Sequence, residues 1–189
     1  MLPFPRLAST LLFLAALAPC LVACESPPPP APPAAPPPAV RARMDRLTVA
    51  HAYDPSTGFI VARETIALPP LLADAPPLDA AIAAAGADRI VIAFATADRC
   101  APCQQFKKDA LNDAAVIARL AGPRFVATHV EVDRAGALAD ASLDGRSIPM
   151  SYALRDGRIV SRLRGQRSAA EVLAWLDSVA DVSSADGPT

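Results

Sequence analysis

The chain is 189 residues long and carries 18 Lys and Arg against 19 Asp and Glu, for a formal net charge of −1 and a pI near 6.1. That balance supplies no broad positive field for phosphates, so no nucleic-acid partner is expected. The 52% hydrophobic fraction comes largely from Ala and an apolar leader, so it does not imply a polytopic membrane protein, and what lies between the two ends fits one globular domain.

The first residues, Met1 to Arg6, hold one positive charge and lead into an apolar run from Leu11 to Leu17, too short for a permanent bilayer-spanning helix. This is the pattern of a secretory signal over residues 1–23. Leu21-Val22-Ala23-Cys24 follows at once. It resembles the lipobox of bacterial lipoproteins, which implies that Cys24 is lipidated and becomes the first residue of the mature chain. Residues 27–38 contain nine prolines among twelve positions, a composition that favours extended polyproline II and cannot build a core. Residues 24–43 are therefore expected to be a lipid anchor and semi-rigid tether, with the globular domain over 44–182 and a disordered tail over 183–189.

Within the domain, Leu47 to Tyr53 and Phe59 to Leu68 suggest two strands around Asp54-Pro55-Ser56-Thr57-Gly58, and Leu78 to Ala85 a first helix. The continuous apolar run Arg89 to Ala95 suits a central strand buried on both faces. Cys100-Ala101-Pro102-Cys103 then opens a helix in which Phe106, Ala110, Ala114, Ile117 and Ala121 recur at three- or four-residue steps. Pro102 suits the first turn, where its missing N–H costs nothing, and Asp113 is placed to recap the helix after a kink. Arg124 to Asp133 reads as another strand and Ala135 to Leu143 as a short helix. A hairpin follows over Met150 to Leu163 around Asp156-Gly157, and Ser168 to Ala180 forms a last helix with a Ser168–Glu171 capping box.

Of four cysteines, Cys20 lies in the leader and Cys24 is the acylation candidate, so Cys100 and Cys103 remain as the pair for chemistry. Two cysteines with two residues between them at a helix start can close a small disulfide ring, which an exported location lets persist. A zinc site would need more ligands than one Cys pair and two histidines out of ligand spacing provide, and neither a metal nor another cofactor is expected. His51 and His129 read as surface or strand-edge residues, and Trp175 as helix packing.

The order strand, CxxC, helix, strand, helix, Ile148-Pro149, hairpin, helix resembles the thioredoxin family over roughly residues 78–180. Phe94 to Lys108, centred on Cys100 and Cys103, more narrowly resembles domains related to the periplasmic C-terminal domain of DsbD-type transmembrane reductases. The resemblance implies an α/β thioredoxin-like fold, a central mixed β-sheet flanked by helices. It also implies a thiol–disulfide oxidoreductase with Cys100 as nucleophile and Cys103 as resolving thiol. Ile148 and Pro149 would form a cis-proline element that presents backbone to an extended substrate segment. Two positions depart from the family: Arg99 stands where an aromatic residue usually precedes the first Cys, and Ala93 where thioredoxins bury an Asp. Arg99 and Pro102 are candidates for modulating the pair, since a cation beside a thiol favours the thiolate.

The expected setting is the cell envelope, lipid-anchored and facing the periplasm, as a monomer. Its partners would be protein disulfide or dithiol substrates and a membrane or periplasmic redox partner. Two other readings compete: a tethered thioredoxin-fold binding or chaperone module with a structural disulfide, and a soft-metal chaperone, which the lack of nearby Met or His ligands argues against.

Overall fold

In the computed structural model the described residues are 34–132, 143 and 147–185. The leader, Cys24, most of the proline-rich segment, the helix expected over 135–143 apart from Leu143, and residues 186–189 lie outside them.

Strand β3, Ile90–Thr96, is buried at every position, as its unbroken apolar run requires. It lies inside a four-stranded sheet of order β4-β3-β5-β6, parallel to β4 (Phe125–Glu131) and antiparallel to β5 (Met150–Arg155). The alternation of side chains divides the core in two. Ile90, Ile92 and Phe94 face a cluster with Phe106, Leu111 and Leu176, while Val91, Ala93 and Ala95 face Leu78, Ala81 and Tyr152 on the other side. Helix α3, Leu78–Ala85, covers the second face with the bounds its apolar spacing predicts.

β5 and the edge strand β6, Arg158–Arg164, form the expected hairpin. Its turn places Asp156 at φ 49° and Gly157 at φ 71°, the two positive angles that a tight two-residue turn demands and that Asp-Gly tolerates. The last helix, α6, Ala169–Ala185, buries Val172, Leu176 and Val179, with the Trp175 indole N–H donating to Ser161 Oγ at 2.9 Å. Ser168 and Glu171 form the predicted capping box, each accepting the other's backbone N–H, and the Ser168 amide and then its hydroxyl, both donating to the Glu171 carboxylate, lower its pKa. The helix continues past Val182, where a tail was expected to start, because no Gly or Pro falls between Val182 and Ala185.

Two differences concern the N-terminal part. Helix α1, Pro38–Met44, begins inside the segment expected to be tether, with proline in its first turn, and seats Val40 and Met44 against Leu47, Val49 and Ile60. The two strands expected over Leu47 to Tyr53 and Phe59 to Leu68 shrink to β1, His51–Asp54, and β2, Phe59–Ala62, paired antiparallel. Side chains take over several of the remaining backbone donors. Thr48 and Val49 amides donate to Gln105 Oε1, and the Ile66 amide donates to Gln104 Oε1, so these residues never join a ladder. At the hairpin turn, hydroxyls and an amide from Ser56 and Thr57 hydrogen-bond the Asp54 carboxylate and hold its pKa below the ordinary value. A four-residue helix, α2, Pro70–Ala73, follows.

Candidate functional site

Helix α4, Ala101–Phe106, starts where the chain leaves β3 through the turn at Ala97 to Arg99. Cys100 is its N-cap, with extended backbone, and Pro102 is buried in the first turn, where a proline deprives the helix of no hydrogen bond. Cys100 and Cys103 are joined by a disulfide with their Cα atoms 5.1 Å apart. The Cys103 amide donates to Cys100 Sγ at 3.2 Å. Burial separates the two sulfurs in kind: Cys100 is half-buried, whereas Cys103 is 0% exposed. A partner that approaches from solvent meets Cys100 first.

The helix passes from α4 into a π-helical turn, Lys107–Leu111, and then into α5, Ala114–Leu120, which Asp113 caps by accepting the Ala115 and Val116 amides. The kink is therefore where Asn112-Asp113 suggests. The π turn itself left no signature in the sequence.

Ile148–Pro149 is a cis peptide, and Pro149 is buried with its carbonyl accepting from the Gly165 amide at 2.9 Å. Met150 pairs with Ala95, so Pro149 lies level with Thr96, at the sheet end from which the loop to Cys100 departs. Sheet register thus brings the proline and the cysteine pair to one end of the molecule. Arg99 is exposed, and its carbonyl accepts from the Ala62 amide at 2.9 Å. His51 and His129 are both half-buried on strands, and His129 Nε2 lies 2.8 Å from Thr96 Oγ1.

Ala93 is fully buried in an apolar cluster, so no carboxylate reaches the pair from that strand position. Charge comes from a group that sequence reasoning missed. Lys107, with only 3% of its side chain exposed, places Nζ 3.2 Å from Asp98 Oδ1 and 3.5 Å from Glu131 Oε2. Glu131 also accepts the Asp98 amide at 2.9 Å, which ties β4 to the turn before Cys100. Lys107 stands four residues after Cys103 on the same helix, and that i, i+4 spacing was the available signal. Gln104 and Gln105, also buried, are the second omission. Gln105 Nε2 donates to Asp109 at 2.8 Å and to Thr48 at 3.0 Å, while Gln104 Nε2 donates to the Asp98 carbonyl at 3.0 Å. Together they fasten the N-terminal segment and the turn before Cys100 to one helix.

Among solved structures, the chain is similar to a thioredoxin from Thermus thermophilus, with 32% identity, 55% of this chain and 84% of that chain covered, and a TM-score of 0.47. It is also similar to a poplar thioredoxin h mutant, with 25% identity, 58% and 78% covered, and a TM-score of 0.44. No curated protein sequence matches. Residues 77–180 match the family described as a thioredoxin-like domain. That stretch runs from the residue before α3 into α6 and takes in the whole four-stranded sheet, both cysteines and the cis-proline, which is more than half of the 189 residues. The chain belongs to the thioredoxin-like family.

Proposed function

We propose that the protein is an extracytoplasmic thiol–disulfide oxidoreductase that works through Cys100 and Cys103 and is held at a membrane surface by a lipid on Cys24. The observation that carries the redox reading is the asymmetry of the pair: Cys100 half-buried at the helix N-cap, its partner Cys103 wholly buried one turn on.

In the reductive direction the reduced protein starts as a Cys100 thiolate, which the Cys103 amide that donates to its Sγ and the positive end of the helix stabilise. Its Sγ attacks one sulfur of a substrate disulfide and expels the other as a thiolate, which takes up a proton. The Cys103 thiol loses its proton and attacks Cys100 Sγ. That step forms the intramolecular disulfide and releases the second substrate sulfur. The substrate gains two electrons and two protons, and a dithiol redox partner at the membrane or in the periplasm returns them to the protein. Ile148 and Pro149 would hold the extended substrate beside the pair, with Arg99 and Pro102 modulating it. The reductive direction rests on the resemblance of Phe94 to Lys108 to DsbD-related domains.

Equilibrating the purified protein in thiol–disulfide buffers, then alkylating and weighing it, measures the Cys100–Cys103 potential. A reversible transition near the thioredoxin value of about −270 mV is expected, and one near −120 mV would reverse the assigned direction. A bond that resists reduction below about −300 mV would make the disulfide structural and leave a tethered binding module. The anchor is checked separately by labelling cells with a radioactive fatty acid. Label is expected on the wild-type chain and none on Cys24→Ser; equal label on both would refute lipidation at Cys24.

A further inference from the structure

The hairpin of β1 and β2 lies outside the residues that match the family, yet it touches the redox turn directly. Val61 and Cys100 form an isolated antiparallel bridge, secured by the Ala62 amide donating to the Arg99 carbonyl at 2.9 Å. Residues opposed in such a bridge share a face, with Cβ atoms about 5 Å apart. The Val61 side chain is therefore the neighbour of the Cys100 side chain.

Strand alternation decides what else is on that face. Ile60 and Ala62 turn inward with Ala101, which is wholly buried, to form the small third cluster of the core. Phe59 and Val61 turn the other way, and the β1 residues opposite them are Asp54 and Ala52. Phe59 is 70% exposed, one of two large hydrophobics left so open among the described residues. Its backbone lies two strand residues, about 7 Å, beyond Val61. A continuous apolar path thus leads from the attacking sulfur across Val61 to Phe59, as long as two or three residues of extended polypeptide.

Resting on the oxidoreductase reading above, we infer that this outer hairpin face is a specificity surface: it selects polypeptide disulfides in which an apolar side chain stands two or three residues from the attacked cysteine. The occupant is a polypeptide because a small disulfide bound at Cys100 would not reach Phe59. The contact is apolar because Val61, Ala52 and Phe59 offer it nothing else, the hairpin's Asp54 carboxylate being occupied by its own turn.

The test uses the reduced full chain in single turnover, so that the protein dithiol supplies two electrons and two protons and each probe disulfide becomes two thiols. Three probes are compared: a peptide–glutathione mixed disulfide with Leu three residues from its cysteine on either side, the same peptide with Ser at those positions, and glutathione disulfide. Wild type is expected to react with the Leu peptide about tenfold faster than with the Ser peptide. Phe59→Ser, a change at an exposed position, should erase most of that preference while leaving the glutathione disulfide rate unchanged. Equal rates for the two peptides with wild type, or an equal loss on all three probes with Phe59→Ser, would overturn the specificity surface alone. Failure of wild type to react with any of the three probes would overturn the oxidoreductase reading and this inference together.

Discussion

Cys100→Ser is expected to reduce disulfide-reductase turnover by at least about a thousandfold, whereas Cys103→Ser should stall the protein as a covalent adduct with its substrate. The two sulfurs are chemically alike, so the difference comes from position. Cys100 is half-buried at the start of α4, where the Cys103 amide favours its thiolate, whereas a serine hydroxyl, far less acidic than a thiol, stays protonated there at neutral pH. Cys103 is closed off from solvent, and an incoming disulfide cannot meet it first. Its one accessible target is Cys100 Sγ, within the reach that a Cα separation of 5.1 Å allows. Mass spectrometry after mixing each reduced variant with a peptide disulfide reads the outcome: an adduct of one peptide mass on Cys103→Ser and none on Cys100→Ser. Adduct on Cys100→Ser, or wild-type turnover by that variant, would assign the attack to the wrong cysteine.

The frame of this site was legible in the sequence where local chemistry and tertiary environment agree. A strand covered on both faces must be apolar throughout, so Ile90 to Ala95 announced itself, and Asp156-Gly157 announced the hairpin because few other dipeptides accept two positive φ angles. What stayed hidden depends on partners far away along the chain. Gln104 and Gln105 look like the solvated face of a helix, yet their amide oxygens accept from Ile66, 38 residues away, and from Thr48, 57 residues away. Those bonds also explain why the N-terminal strands are shorter than their β-prone sequences suggest: donors bound to a glutamine are lost to a ladder. The missing buried carboxylate at Ala93 was legible as an absence, while the charges that do approach the redox turn come from a loop, a helix and a neighbouring strand. Only the fold brings Asp98, Lys107 and Glu131 together.

That triad supports the other large prediction: Lys107→Met should destabilise the protein by about 3 kcal/mol, roughly a 10 °C fall in Tm for a domain of this size. Burying an ammonium group is costly, and its attraction to two carboxylates does little more than offset that cost, so the intact triad adds little net stability. Removing the cation alone is different. Glu131, with a side chain 12% exposed, and Asp98, 32% exposed, would be left facing each other without the charge between them. The partial exposure of Asp98 lets water screen part of the repulsion, which places the loss at the lower end of the range for a broken buried pair. Methionine retains the packing of the lysine stem, so the measured loss reports charge and not a cavity. The double variant Lys107→Met with Glu131→Gln then isolates the cause. Thermal denaturation of the two single variants and the double should show a coupling of about 1 kcal/mol or more, the double variant regaining stability relative to the sum of the singles. Additive losses would mean that the Lys107–Glu131 pair carries none of the loss. Because Glu131 also accepts the Asp98 amide beside the redox turn, the same loss should loosen the backbone that presents Cys100, and Lys107→Met should slow single-turnover reduction even below its melting transition.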